Sequence, residues 1–393
     1  MKDNVVFLQV SHKLTAPSNP CLDYYEQVYP KQYGYAIASE HYMELPTWIA
    51  VANGLIDSNV YAKTLHVVQD VEETVKWLDA HPWNTTVLAS VMDVNVGVLQ
   101  DIMSKCHFPK KWVVGGYVDF KAYEWHDLVV VLDSIYDLHH AMPGVRVEAA
   151  PDYSIFGDAV TIPRLTLSEG CWHNCAFCTI SRDIVERSWE DVFDQVDSFR
   201  GMNFSLVYVN DKTFGQASNC EWLEQVAEYI WTFNDDFVGF IVQTTVQEAR
   251  KNIRHWVVDL NVMYVEVGVE HVDAEYLRRM RKPYSLAMLD DLTWYIRSEL
   301  KGTVGFIPNL MFALPDADYT DTLEWVEFNK DIIAFVNPFI LCQYSTSKGE
   351  LVTDATGNHD QDENSLMKSW LSDVEVKTNQ IAMDTVFMLT GGE

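Results

Sequence analysis

The stretch Leu165-Thr166-Leu167-Ser168-Glu169-Gly170-Cys171-Trp172-His173-Asn174-Cys175-Ala176-Phe177-Cys178 decides how this sequence is read. Its three cysteines are spaced CxxxCxxC and follow an apolar run of strand length, Ile162–Leu167. Thiols this close together point to a metal. Thiolates are the usual ligands of iron–sulfur clusters, and gaps of two or three residues let one loop wrap a cubane. Three cysteines leave a fourth iron without a protein ligand, and catalytic metal sites keep such an open position. Zinc is the rival occupant, since His173 would complete a Cys₃His set. Structural zinc, however, pairs two separated ligand knuckles, and no second CxxC or HxxxH occurs in the chain.

Working outward, strand-like and helical runs alternate on both sides of this stretch. C-terminal to it, strands are expected near Ser205–Val209, Val238–Thr244, Met263–Val267, Thr303–Phe312 and Phe339–Gln343. Helices are expected between them, at Trp189–Phe199, Glu221–Phe233, Gln247–Val257 and Leu286–Leu300. With Ile162–Leu167 this makes six units, the pattern of a partial (β/α)6 barrel whose pocket lies at the strand C-termini. N-terminal to it, Val5–Val10, Thr64–Val68, Thr86–Met92, Trp112–Val114 and Val145–Glu148 read as strands. Leu45–Ile56, Val71–Leu78, Val94–Lys105 and Asp127–Met142 read as helices. That alternation implies a doubly wound parallel sheet of the α/β class. The Pro- and Gly-containing stretch Pro151–Pro163 places a boundary between the two, giving domains 1–158 and 159–348. The remainder, 349–393, is a C-terminal segment whose first part, Gly349–Ser365, is polar, acidic and loop-like. Leu366–Trp370 and Ile381–Leu389 are expected to pack back as short elements.

The 393 residues carry 28 Lys+Arg against 57 Asp+Glu, a formal charge of −29. Phosphate binding needs clustered basic residues, so this balance disfavours a nucleic-acid substrate. No apolar run reaches 18 residues, and Met1–Val10 lacks the basic flank and cleavage site of a signal peptide. Seven cysteines, an odd number, with no secretion signal fit reduced thiols in a cytoplasmic protein.

The cysteine stretch, with an aromatic before its last cysteine, resembles the radical S-adenosylmethionine (SAM) superfamily. Further segments are similar to that family in the same order. Tyr208–Phe214 resembles its strand-two end and Gln243-Thr244-Thr245 its strand-three end. Val267-Gly268-Val269-Glu270-His271 resembles its strand-four segment, with His271 where Ser is common. The run Tyr276–Pro283 resembles L-x-x-M-x-K. Asn309–Pro315 resembles strand five, with Ala313 where Gly is usual. The resemblance spans about Pro163 to Lys348. It implies a 4Fe–4S cluster on Cys171, Cys175 and Cys178, with SAM chelating the open iron. Reductive cleavage of SAM would give a 5′-deoxyadenosyl radical that abstracts hydrogen from a small-molecule or peptide substrate. An electron donor such as flavodoxin or ferredoxin is implied. Phe177 would pack on the adenine, Asn210 or Asp211 would accept from the SAM ammonium, Gln243 would line the site, and Glu270 would accept from the ribose hydroxyls.

The N-terminal part resembles the cobalamin (B12)-binding domain that precedes the barrel in one radical SAM subgroup. Val87–Met92 carries Ser90 where the nucleotide tail enters that family's fold, and Trp112–Tyr117 carries Gly115 and Gly116 where backbone approaches the tail. The DxHxxG motif is absent, which implies no histidine ligand to cobalt. With cobalamin, the implied reaction is methylation of an unreactive carbon. Without it, the domain is a scaffold, and the outcome is rearrangement, cyclisation or epimerisation. A methylthiotransferase reading is disfavoured, because only Cys21 and Cys106 lie in this part. From another class stands a non-enzymatic zinc or iron–sulfur protein that binds a partner.

Overall fold

The structure is a computed structural model. It describes residues 2–15, 20–34, 45–82, 84–92, 94–107, 110–118, 120–125, 128–157, 159–178, 180–345, 351–356 and 371–391. Two sheets organise them. The first has five parallel strands in the order β2-β1-β3-β4-β5: β1 Asp3–Val10, β2 Tyr61–Val68, β3 Thr86–Met92, β4 Lys111–Tyr117 and β5 Val129–Val131. The period-two geometry of a strand sends alternate residues to opposite faces. Val5 and Phe7 of β1, Leu88 of β3 and Val113 of β4 therefore join a core continuous with the rest of the molecule. Val6, Leu8, Val87, Ala89, Trp112 and Val114 form a second core under the outer helices. Both faces are covered, which is why these strands read as unbroken apolar runs. The helix Val71–Asp79 starts where the Asp70 side chain accepts from the Glu73 N–H.

The second sheet has seven strands in the order β14-β13-β12-β11-β10-β9-β6. These are β6 Arg164–Leu165, β9 Leu206–Val209, β10 Gly239–Thr245, β11 Val262–Glu270, β12 Gly305–Phe312, β13 Asn337–Ser345 and β14 Leu351–Thr356. The first six are parallel, and β14 pairs antiparallel with β13. This is the partial (β/α)6 arrangement with one added edge strand. Some of its helices begin at side-chain caps. Ser188 and Asp191 make a capping box for Trp189–Asp197, and Thr245 caps Val246–Val258. A short antiparallel pair, β7 Ser168–Glu169 and β8 Val185–Glu186, lies outside both sheets.

Several expectations need correction. Asp127–Met142 is not one helix: the β-branched run Val129–Val131 extends the first sheet, and only Leu138–Ala141 is α-helical. Val145 of the expected strand Val145–Glu148 makes only an isolated antiparallel bridge to Ile56. Within Gly349–Ser365, Leu351–Thr356 is a strand, because the exposed edge of β13 offers it a ladder. Leu366–Trp370 and Lys348 lie outside the described residues. Ile381–Leu389 is part of an 18-residue helix, Asp373–Thr390, started by a Ser372–Glu375 capping box. Among the described residues, no helix is long and apolar enough to cross a membrane.

The helix Pro20–Tyr33 carries the N-terminal region onto the barrel. Its Tyr25, Tyr29 and Tyr33 rings surround Phe335. Tyr24 stacks on Phe387 of the last helix at 4.3 Å, and its hydroxyl accepts from the Val336 N–H at 2.8 Å.

Candidate active site

The cysteine loop leaves the C-terminal end of β6 and is tied down at its base, flank and apex. At the base, β7 and β8 pair Ser168 with Glu186 and Glu169 with Val185. Gly170 follows at φ +91°, and a Cβ there would lie 2.1 Å from the Asp183 carbonyl oxygen, so glycine is required. The Cys171 N–H donates to the Ser181 carbonyl at 2.9 Å, and the Trp172 N–H donates to Gln216 Oε1 at 2.7 Å. At the apex, the Ala176 N–H donates to the Met280 carbonyl at 2.9 Å, hanging the loop on the segment after β11. None of Cys171, Cys175 and Cys178 is in a disulfide, and Cys178 is exposed. The Cys171 thiol lies 3.2 Å from Thr213 Oγ1. Among the described residues, no three His, Cys, Asp or Glu side chains converge on a single ion. Burial pushes the Cys175 thiol up, and the nearby Lys282 ammonium opposes that shift.

The end of β11 brings the rest together. Glu270 and Lys282 form an ion pair at 2.7 Å with side chains only 10% and 4% exposed. Burial works against the Lys282 ammonium, but Glu270 and the Cys175 thiol more than offset it, and its pKa stands above the ordinary lysine value. The ammonium lies 5.8 Å from the centre of the Phe177 ring. Gly268 makes room for the pair: a Cβ there would sit 2.8 Å from Glu270 Oε1 and 3.2 Å from Lys282 Nζ. Glu270 itself has φ +62°, next to a register shift between β11 and β12. His271 is fully buried between Tyr276 and Tyr319, both ring nitrogens lack a hydrogen-bond partner, and burial lowers its pKa. Asn309, in register with Gly268, is 2% exposed and its Oδ1 has no partner.

The remaining expected residues sit as follows. Asn210 is exposed at the end of β9, with its N–H donating to the Leu165 carbonyl at 2.7 Å. Asp211 is buried, which raises its pKa, and spends its carboxylate on the loop base: it accepts from the Leu167 and Ser168 N–H groups at 2.9 and 3.0 Å and from the Ser168 hydroxyl. Gln243 lies on β10, in register with Glu266. The Tyr208 hydroxyl donates to Glu266 at 2.8 Å and lies 3.5 Å from Gln243. Lys282, Gln216 and Asn309 were not singled out from sequence. Lys282 carries a signal there as the last residue of the L-x-x-M-x-K run, and Asn309 as the first residue of the strand-five segment; Gln216 carries none.

Ser90, Gly115 and Gly116 are brought together elsewhere, in a mainly apolar cavity of about 390 Å³ at the C-terminal ends of β3, β4 and β5. Trp48, Leu88, Val113 and Leu132 complete its walls. A Cβ at Gly116 would meet the Val91 backbone at 2.0 Å, so that glycine serves strand packing as well as the cavity. A second, polar cleft of about 890 Å³ is lined by Thr47 and Tyr136 and by Arg164, Glu169 and Asn210.

A parallel sheet ahead of a partial barrel is an architecture found among solved structures. No family model matches the chain, and no curated protein matches it. The radical SAM methyltransferase TsrM from Kitasatospora setae, with cobalamin and a [4Fe–4S] cluster bound, superposes with a TM-score of 0.56 at 12% identity, over 89% of this chain and 77% of that one. The cobalamin-dependent SAM radical enzyme OxsB with aqua-cobalamin bound gives a TM-score of 0.53 at 12% identity, over 96% of this chain and 56% of that one. The chain thus spans little more than half the length of OxsB. At this identity the likeness establishes the fold, which the chain shares with these two structures.

Proposed function

We propose that this chain is a radical SAM enzyme, with Cys171, Cys175 and Cys178 holding a [4Fe–4S] cluster, and that it uses cobalamin to methylate an unreactive carbon of a small-molecule or peptide substrate. The observation that carries the reading is the backbone tie between the cysteine loop and the segment bearing Lys282. It sets the cysteine loop beside a buried ion pair, with Cys175 near the Lys282 ammonium. The donor set fits the cluster, since thiolates are its usual ligands and three leave one iron open. When bound, the cluster supplies the electron that cleaves SAM.

The chain's own residues do the rest. Phe177 offers a ring face to the adenine. Asn210, exposed at its strand end, is the better acceptor for the SAM ammonium, because Asp211 is committed to the loop base. Lys282 offers a cation to the SAM carboxylate, and Glu270 and the orphaned Asn309 oxygen offer acceptors to hydroxyl groups. Loop and strand ends together exclude water from the reacting carbon. The cavity at Ser90, Gly115 and Gly116 fits the nucleotide tail of cobalamin in size, apolar lining and place.

The test is anaerobic reconstitution followed by iron and sulfide counting, cobalamin absorption, and electron paramagnetic resonance of the dithionite-reduced protein with and without SAM. We expect about four irons per chain, a signal that changes on adding SAM, loss of that signal in Cys175→Ala, and bound cobalamin. Folded protein that takes up one zinc and no iron would overturn the reading. A SAM-responsive cluster without cobalamin would remove the methyl-transfer part.

A further inference from the structure

The helix Asp373–Thr390 is apolar on two faces. One carries Val376, Asn379, Ala382, Met383 and Val386, and it is buried in the core of the molecule. The other carries Val374, Thr378, Ile381, Thr385 and Met388, spaced i, i+4, i+7, i+11 and i+14. At about 3.6 residues per turn, these five fall in one stripe about 21 Å long. Val374 is 75% exposed, Ile381 54% and Met388 77%. Among the described residues, no large apolar side chain is more exposed than Met388 and Val374. The two threonines do not make the stripe polar. The Thr378 hydroxyl donates to the Val374 carbonyl at 3.0 Å, and the Thr385 hydroxyl donates to the Ile381 carbonyl at 2.7 Å. Covering the stripe therefore strands no hydroxyl. Single exposed apolar residues are ordinary, but a helix that is apolar on both sides is one that packs on both sides.

Charge decides what covers it. Lys377 and Asp384 are exposed and lie seven residues apart, on the same flank of the stripe. Gln380 donates to Asp384 at 2.8 Å and holds its carboxylate on that flank. A two-fold axis through Ile381 that sets a second copy antiparallel pairs Val374 with the partner's Met388, and Ile381 with the partner's Ile381. Each Lys377 then falls one residue out of step with the partner's Asp384, within reach of a lysine side chain. The same pair forms twice. A parallel two-fold puts the two flanks on opposite sides of the contact and makes neither pair. The stripe and its flank are thus complementary to themselves, which is what an isologous contact requires. The formal charge of −29 opposes association. At physiological salt, however, charges further than about 8 Å from their counterparts are largely screened.

We propose that this stripe is the contact of a homodimer, in which the Asp373–Thr390 helices of two copies pack antiparallel about Ile381. The proposal is independent of the cluster and cobalamin assignments. A pair of single helices lies at the low end of interface sizes, so the dimer forms at micromolar concentration. Its consequence reaches the barrel mouth. On the same helix, Glu375 accepts from the Asp316 N–H at 3.1 Å and Asn379 accepts from the Tyr319 hydroxyl at 2.5 Å. Pairing two copies therefore steadies the helix that holds the loop after β12.

Sedimentation equilibrium of the full chain tests this, in reducing buffer so that the exposed Cys178 cannot join copies. It compares wild type with Ile381→Glu, Lys377→Glu and the double swap Lys377→Glu/Asp384→Lys. All three positions are exposed, and far-UV circular dichroism checks that each variant is folded. We expect a concentration-dependent dimer in wild type, weakened about tenfold or more in Ile381→Glu, which sets two carboxylates together on the axis. Lys377→Glu should weaken it about fivefold, and the double swap should restore it, because the two charges have only changed places. The thermal midpoint should rise with protein concentration in wild type and not in Ile381→Glu. A wild type that stays monomeric at several hundred micromolar overturns the proposal. So does a dimer that Ile381→Glu leaves intact, or a stripe that binds phosphatidylcholine vesicles in place of a second copy. A dimer weakened by Lys377→Glu that the double swap fails to restore refutes the antiparallel register.

Discussion

Replacing Lys282 with methionine should expose how much the site depends on its buried ion pair. The pair is short, at 2.7 Å, and both side chains are almost out of water, at 4% and 10% exposure. Methionine fills the same volume but leaves the Glu270 carboxylate buried without a counter-charge. Breaking such a pair costs about 3–5 kcal/mol, whereas replacing both members by apolar groups is nearly neutral. At 2–4 °C per kcal/mol for a domain of this size, Lys282→Met should lower the barrel's unfolding midpoint by roughly 6–20 °C. The double variant Glu270→Leu/Lys282→Met should recover to within about 2 kcal/mol of wild type, since no charge is stranded. Urea unfolding followed by tryptophan fluorescence gives the cycle. SAM binding by calorimetry on the same proteins separates ligand recognition from stability, and the double variant should be stable yet bind SAM poorly. If Lys282→Met costs less than about 1 kcal/mol, or the two changes simply add, the pair is solvated and the reasoning fails.

Three further outcomes follow from the geometry. Gly170→Ala places a Cβ 2.1 Å from the Asp183 carbonyl oxygen and forces the loop base open, so iron incorporation on reconstitution should drop sharply while far-UV circular dichroism stays the same. Ser90→Trp should fill much of the 390 Å³ cavity and abolish cobalamin retention, measured by absorption after desalting, without altering the effect of SAM on the cluster signal. His255 lies 2.7 Å from Asp259 and 2.8 Å from Glu221, and these two carboxylates raise its pKa in the folded chain. Its stabilisation is therefore complete below the unfolded value near 6.5 and is lost as pH rises through the raised folded value. With the ring 41% exposed, it contributes about 0.5 kcal/mol, and His255→Gln should remove that increment at pH 5.5 but not at pH 9.

Much of this arrangement is legible in the sequence, for reasons that differ from element to element. The parallel barrel strands are visible because their apolar runs are long, and β10, β11 and β12 are largely buried on both faces. The cysteine loop is visible because its ligands are local in sequence. The last strand was missed because Leu351–Thr356 sits in a polar, acidic stretch, where edge pairing outweighs composition. Val129–Val131 was absorbed into an expected helix because three residues are too few to show a period. Lys282 was passed over for a physical reason: its ion pair joins strand end to turn across 12 residues, and nothing in a linear pattern says that a lysine will be buried. Asp211 shows the converse. Its sequence place suggested a ligand contact, while its oxygens close the loop base.

Backbone strain adds an independent argument for where the chemistry lies. Five non-glycine residues have positive φ among the described residues: Asn261, Glu270, Arg281, Ala313 and Asp316. Four of them fall at or after the C-terminal ends of β11 and β12, and only Asn261 lies at the opposite end of the barrel. Each such residue costs on the order of 1 kcal/mol and persists only where surrounding contacts over-determine it. At the mouth those contacts are explicit. Tyr284 donates to the Val269 carbonyl beneath Glu270, Tyr276 donates to the Pro315 carbonyl, and Glu375 of the last helix accepts from the Asp316 N–H at 3.1 Å. Tyr319 donates to Asn379 of the same helix. The C-terminal helix therefore braces the strained loop after β12, which Tyr276 ties to the segment bearing Lys282. On the proposed function its packing supports the site, because a mouth held in this way is set before any ligand arrives.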